Sequence, residues 1–219
     1  MEKDKTRCLV FDLDGTLSDT LPDIVSSLNL TREEFELPKL FPNTVKTMLD
    51  LGLSDFLQQS LKGAEITAEE AEEAFLEHYR ETLNIQGVLY EGVFQGLREL
   101  KAAGWRLALL SNKPEDLCKF ILFDSGIGDY FDLIIGGSSE YPLKPDPSPL
   151  FGIMELLGAE KENTWMIGDS VTDLETARRA GVNTGFVTYG YGTPGEERPK
   201  QIFNSFDEVC AFFTGKTDG

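Results

Sequence analysis

Three carboxylates, Asp12, Asp14 and Asp19, crowd into "CLVFDLDGTLSDT", directly behind an apolar run at 8–11. Further along stand "SNK" at 111–113, "LKPDPSP" at 143–149 and "GDSVTD" at 168–173, each in or behind the end of another short apolar stretch. Carboxylates gathered at one edge repel each other, and such an arrangement persists when a counter-ion holds it. Oxygen donors with no His or Cys beside them favour Mg2+ over zinc. Mg2+ takes one or two carboxylates together with water and phosphate oxygens. Lys144 adds a positive charge, and the Ser111 hydroxyl with neighbouring backbone N–H groups adds neutral donors, all suited to a phosphoryl group. Asp12 and Asp14, two residues apart, can divide the work. One stays ionised beside a cation and attacks phosphorus, while its neighbour, repelled by it, holds a proton for the leaving group. Gly15 permits the sharp turn that brings the second carboxyl back over the first.

These residues act together only if the chain brings strand ends to one edge, as an open parallel sheet does. The spacing predicts strands at 8–11, 106–110, 133–135, 164–167 and 184–187, read as near-continuous apolar runs buried on both faces. The helices between them close on Gly104, Gly126, Gly158 and Gly181, and Pro149 marks the start of the helix that ends near Leu157. Residues 20–87 break this rhythm. Ala71, Phe75, Tyr79 and Leu83 recur at helical spacing behind Thr67 as N-cap, opposite an acidic face. A further helical pattern runs through Val45, Met48 and Leu49, pauses at Gly52 and resumes through Phe56, Leu57 and Leu61. The expected architecture is α/β: a Rossmann-like parallel sheet core with helices on both faces, built from 1–19 and 88–219. A helical cap domain, 20–87, is inserted after the first strand.

The chain of 219 residues, 41% hydrophobic and 26% charged, reads as one soluble globular core with an insert. With 20 basic against 38 acidic side chains, the net charge of −18 argues against nucleic acid or an anionic membrane as partner. A small anionic ligand remains compatible, held by local cations. Cys8, Cys118 and Cys210 form no disulfide framework or zinc pattern, and the charged start is followed by only four apolar residues. A cytoplasmic protein, monomer or homodimer, is expected.

In order and spacing, "DLDGTLSDT", "SNK", "LKPDPSP" and "GDSVTD" resemble the four motifs of the haloacid dehalogenase-like phosphohydrolases. "DLDGTLSDTLPDI" with "KPDPSPL" is most similar to the phosphoglycolate phosphatase subgroup. The resemblance implies Asp12 as nucleophile forming an aspartyl-phosphate, and Asp14 as general acid and then base toward water. It implies Ser111 and Lys144 on the phosphoryl oxygens, with Asn112 shaping their loop. It also implies Mg2+ on the Asp12 and Asp169 carboxylates and the Asp14 carbonyl, with Asp173 ordering a metal-bound water. Asp at position 14 separates the chain from the dehalogenase branch. Departures from the subgroup pattern are Asp50 in the cap turn, Glu91 and Ser138.

The leading expectation is a Mg2+-dependent phosphatase acting on a small phosphomonoester, 2-phosphoglycolate first, with Lys46 and the turn at Gly52 as cap-side substrate contacts. The alternatives are a beta-phosphoglucomutase-like phosphomutase, an inorganic pyrophosphatase or nucleotidase, and a non-catalytic binding protein on the same fold.

Overall fold

The computed structural model describes residues 6–49, 51–83, 85–137 and 139–215. From β1 (Thr6–Phe11) the chain turns into the short strand β2 (Ser18–Asp19) and enters four helices: α1 (Leu21–Glu34), α2 (Pro42–Lys46), α3 (Leu53–Ser60) and α4 (Ala68–Thr82). It returns through β3 (Val88–Leu89), antiparallel to β2. Helices and strands then alternate through α5 (Val93–Ala102), β4 (Arg106–Leu110), α6 (Glu115–Asp124), β5 (Leu133–Ile135), α7 (Ser148–Leu157) and β6 (Ala159–Gly168). The chain closes with α8 (Val171–Ala180), β7 (Asn183–Val187), β8 (Gln201–Phe203) and α9 (Phe206–Thr214).

The main sheet has the order β5-β4-β1-β6-β7-β8, with every pairing parallel. Successive side chains of a strand point to opposite faces, and β1 uses both. Leu9 and Phe11 pack in one cluster with Leu97 and Leu100 of α5, Ile121 of α6 and Phe206 and Val209 of α9. Cys8 and Val10 pack in another with Leu150 and Ile153 of α7 and Ala177 of α8. Three layers result, because a strand apolar on both faces must be covered on both. The two tryptophans pack at strand starts, away from the carboxyl edge: Trp105 and Trp165 each meet the Phe213 ring, and Trp105 Nε1 donates to the Phe213 carbonyl at 3.0 Å.

Strands at 106–110 and 133–135 stand where the apolar runs predict them, and Gly104, Gly126, Gly158 and Gly181 all take positive φ. β6 starts at Ala159, five residues before the predicted 164, because Thr6 recruits Ala159 ahead of a register shift. Residues 160–163 are polar, so they carry no apolar signal for a strand. β8 went unpredicted for a related reason: it is three residues at the sheet edge, with Ile202 exposed. α2 stops at Lys46, leaving Met48 and Leu49 in a turn.

Between β2 and β3 the helices build their own apolar centre, continuous with the cluster on one face of the sheet. Thr67 caps α4 in a reciprocal box with Glu70, which fixes where the helix begins and so which face it buries. That face carries Ala71, Phe75 and Tyr79. Phe75 stacks on Tyr79 at 5.3 Å and meets Phe56 of α3 edge-on at 5.6 Å. Burying a side chain of this size contributes about 1.5–3 kcal/mol. The Asp23 carboxylate, in the first turn of α1, accepts from the Gln86 and Gly87 N–H groups at 2.8 and 3.0 Å, tying the returning chain to the outgoing one. His78 lies on α4 with Nε2 3.1 Å from Glu34 and takes no part in the carboxyl-edge cluster.

Candidate active site

β1 has β4 on one side and β6 on the other, so the loops leaving these strands diverge around it and open a crevice at their carboxyl ends. The sheet hydrogen bonding continues one step into that edge: Asp12 N donates to Ile167 O at 3.0 Å, and Ser111 N donates to Ile135 O at 3.1 Å. The first functional side chains are therefore anchored by rigid backbone. Asp12, Asp14, Ser111, Asn112, Lys144 and Asp169 line one pocket of about 40 Å³, with Lys46 reaching it from the end of α2. Gly52 does not line this pocket. It borders the neighbouring cleft with Asn112, Pro114 and Leu143, and a Cβ there would lie 2.4 Å from Leu143 Cδ1. Asp50 and Ser138 lie outside the described residues.

Lys144 is the electrostatic centre of the pocket. Its ammonium stands 2.9 Å from Asp12 Oδ1 and 2.6 Å from Asp173 Oδ1, with 3% of the side chain exposed. Burial opposes its charge, but Asp12 and Asp173 outweigh that and hold the ammonium protonated. Asn112 clamps the backbone of Lys144 from both sides: its Oδ1 accepts from Lys144 N at 2.8 Å, and its Nδ2 donates to Lys144 O at 3.0 Å. Asp173 belongs to α8, where it forms a capping box with Ser170 and accepts from the Ser170 hydroxyl at 2.9 Å. One residue thus starts the helix and neutralises the lysine.

Asp169 Oδ2 accepts from the backbone N–H groups of Tyr191 and Gly192 at 2.6 and 2.9 Å, and its Oδ1 from the Thr16 hydroxyl at 3.4 Å. The backbone comes so close here that a Cβ on Gly15 would lie 2.4 Å from Asp169 Oδ2, and Gly15 has φ +80°. Asp14 is held by Thr20, whose hydroxyl donates to Oδ1, and by Lys113, whose Nζ is 2.9 Å from Oδ2.

Burial raises the Asp12 carboxyl above the usual range; Lys144 lowers it, while Asp173, Asp169 and Asp14 raise it further. Asp12 Oδ1 is buried and accepts no aligned hydrogen bond even though Lys144 is near. Carboxylate oxygens of Asp12, Asp169 and Asp173 lie within 4.8 Å of one another. Lys144 is shared between Asp12 and Asp173, so one ammonium faces the three carboxylates of the cluster, which leaves a deficit of positive charge. A hard divalent cation fits that deficit.

The family model for haloacid dehalogenase-like hydrolases matches residues 9–187. The chain belongs to the haloacid dehalogenase-like hydrolases. It is 36% identical to a phosphoglycolate phosphatase of Colwellia psychrerythraea, over 95% of this chain and 97% of that protein. It is 37% identical to a phosphoglycolate phosphatase of Aquifex aeolicus, over 84% and 86%. The crystal structure of a predicted phosphoglycolate phosphatase from Haemophilus somnus superposes with a TM-score of 0.90 at 30% identity, covering 94% of this chain and 97% of that one. The fold and motifs are those of a phosphatase in this hydrolase family.

In this hydrolase several site residues carry no signal in the sequence by themselves. Thr16 and Thr20 stand inside "DGTLSDT" and read as turn residues, yet they bond Asp169 and Asp14. Tyr191, far along the chain, donates its hydroxyl proton to Asp19 at 2.5 Å and accepts from Leu21 N at 2.9 Å, joining the Asp169 loop to the start of α1. Lys113 closes the "SNK" run, where residue type alone assigns it no role. Its position between core and α4 depends on a contact across 34 residues that no local pattern reveals. Among the described residues, no helix is long and apolar enough to cross a membrane.

Proposed function

We propose that this phosphatase hydrolyses 2-phosphoglycolate through an aspartyl-phosphate on Asp12. The observation that carries the reading is the Asp12 carboxylate: it is buried, its Oδ1 accepts no aligned hydrogen bond, and it shares its pocket with Lys144, Ser111 and Asp169. A buried carboxylate facing donors arranged for an anion is placed to attack phosphorus, and no other group in the pocket combines nucleophilicity with that setting.

Asp12, Asp169 and the Asp14 carbonyl would hold Mg2+. Bound there, it would keep Asp12 ionised and would neutralise charge on the transferring group. Lys144 and the Ser111 hydroxyl hold phosphoryl oxygens, and Asn112 keeps Lys144 in place. Asp14, fixed by Thr20 and Lys113, protonates the leaving oxygen and then takes a proton from the water that opens the aspartyl-phosphate. Asp173 fixes the Lys144 ammonium from behind and helps order the water around the cation. The helical unit at 20–87 acts as the cap, and Lys46 on it draws the dianion into the pocket.

Pocket size supports a short substrate. Beside the 40 Å³ pocket lies a second cavity of about 50 Å³, room for a short leaving group. From the cap, Lys46 and Leu49 reach the Asp12 pocket among the described residues, one cation where a sugar diphosphate needs a second phosphate site. That favours phosphatase over phosphomutase. Cys8, Cys118 and Cys210 are buried and no disulfide joins them, in keeping with a reducing cytoplasm.

The test is phosphate release from 2-phosphoglycolate, hexose phosphates, nucleotides and pyrophosphate, with Mg2+ and with excess chelator. Chelator-sensitive release, fastest from 2-phosphoglycolate and abolished in Asp12→Asn, is the expected result. A faster ester of another kind overturns the substrate, and an active Asp12→Asn overturns the mechanism.

A further inference from the structure

The pocket that holds Asp12 and the second cavity beside it share a neck made by Asp14, Leu49, Asn112 and Lys113. Beyond the neck the walls are apolar, with Ile24, Leu53, Phe56, Phe75 and Leu117. Lys113 is the one cation among the described residues that lines both spaces. A leaving group protonated by Asp14 must lie at this neck, so whatever charge it carries meets Lys113 first.

Lys113 is buried, with 6% of its side chain exposed, and its backbone is held by the core. Its N–H donates to Ser111 Oγ at 3.3 Å, and its carbonyl accepts from Gly137 N at 2.8 Å. The ammonium reaches Asp14 Oδ2 at 2.9 Å and the hydroxyl of Tyr79 at 2.8 Å. An ammonium has three protons, and those two partners use two of them. Tyr79, 1% exposed, accepts from Lys113 and is given no acceptor for its own proton among the described residues. Two donors, one charged at the neck and one neutral in the cavity behind it, therefore stand side by side, each with a proton that no contact among the described residues uses. Donors left so are costly unless a ligand supplies acceptors, and a carboxylate supplies two oxygens in the geometry a pair of adjacent donors needs.

We propose that Lys113 and Tyr79 form the subsite for a carboxylate at the end of the leaving group. The proposal rests on the phosphatase reading above and deepens it. It assigns the distinction between a phosphorylated hydroxy acid and its neutral analogues to one core residue and one residue of α4. Because Tyr79 comes from the cap, the subsite is complete only when the cap is shut on the core. Selection of the substrate and closure over it are then one event.

The test compares kcat/KM for 2-phosphoglycolate with that for 2-hydroxyethyl phosphate, an ester of similar size whose alkyl leaving group ends in a hydroxyl. Their ratio cancels damage to Asp14 or to folding, since both esters need the same proton. Lys113→Met is expected to lower the ratio by about 100-fold, carried by KM, as loss of a charge-assisted contact does. Tyr79→Phe keeps the stacked ring and is expected to lower it by about 10-fold. An unchanged ratio in folded Tyr79→Phe and Lys113→Met overturns the subsite, as does a ratio that collapses in Lys46→Met instead. If Lys113→Met does not fold, Tyr79→Phe decides alone. The phosphatase reading survives either failure as long as Asp12→Asn is inactive. A wild-type enzyme that turns over both esters equally well overturns the subsite and the 2-phosphoglycolate assignment together.

Discussion

Replacing Lys144 by Met keeps most of the side-chain stem and removes only the ammonium. At 2.9 and 2.6 Å, and with an effective dielectric of 20, its gross attraction to Asp12 and to Asp173 is about 6 kcal/mol each. Much of that is cancelled by the cost of taking the ions out of water, so the net contribution is far smaller than the gross. Removal of one partner from a buried pair nevertheless costs about 3–5 kcal/mol, because the charge left behind has neither water nor a counter-ion. Here two carboxylates are left facing each other, Asp12 at 8% and Asp173 at 0% exposure. Lys144→Met should therefore lose about 3–5 kcal/mol in urea unfolding at neutral pH with chelator present. Adding Asp173→Asn removes one of the two stranded charges while an amide oxygen still accepts from Ser170, and should return about 2 kcal/mol. Mg2+ should stabilise Lys144→Met, since it supplies positive charge to the same cluster. A double variant whose loss equals the sum of the single losses, or a Lys144→Met loss under about 1 kcal/mol, would refute the view that this lysine neutralises both carboxylates at once.

Two further outcomes follow from the same structure. Gly15→Ala places a Cβ against Asp169 Oδ2 at a left-handed backbone position, so Mg2+ affinity measured by calorimetry should fall at least about 10-fold, and unchanged affinity would refute the close packing. Asp132 accepts from Lys101 Nζ at 2.7 Å, Leu107 N at 2.9 Å and Arg106 at 2.7 Å. Burial opposes its ionisation, but these donors outweigh it and hold the carboxyl below its ordinary value of 3.8. The folded state thus binds the proton less readily than the unfolded one. Its contribution is present above that ordinary value and is lost as pH falls through the lower folded value. Asp132→Asn should cost about 1.5–3 kcal/mol at pH 7, with the gap in urea midpoints closing toward pH 3; a gap independent of pH would contradict this.

What the sequence determined by itself is the sheet and its chemical edge. Residues 106–110 and 133–135 are apolar enough to be buried on both faces, and that leaves little freedom for anything but parallel strands covered by helices. Polar residues directly behind such runs must then fall at the carboxyl ends, which is why Asp12, Asp14, Ser111 and Asp169 stand at one edge, with Lys144 reaching it from the loop after β5. Local chemistry also fixed Thr67 as a cap, since a hydroxyl before a helical acidic run needs only its own turn to act.

Only the tertiary structure decided how those residues are held and what the helices between β2 and β3 present to them. β8 and the first half of β6 owe their strand form to neighbours, because edge and polar segments have no periodicity of their own. Gly52 faces Leu143 and not the carboxylates, a matter of how α3 is set against the core. Asp173 pairs with Lys144 across 29 residues, Tyr191 bonds Asp19 across 172, and Lys113 meets Tyr79 across 34. Such contacts depend on distances between elements that are set by packing, and a hydrogen bond requires those distances to be right within a few tenths of an ångström. Residue types along a chain specify which groups can react; the packing of the α1–α4 helices and the 188–192 loop against the sheet decides which of them meet.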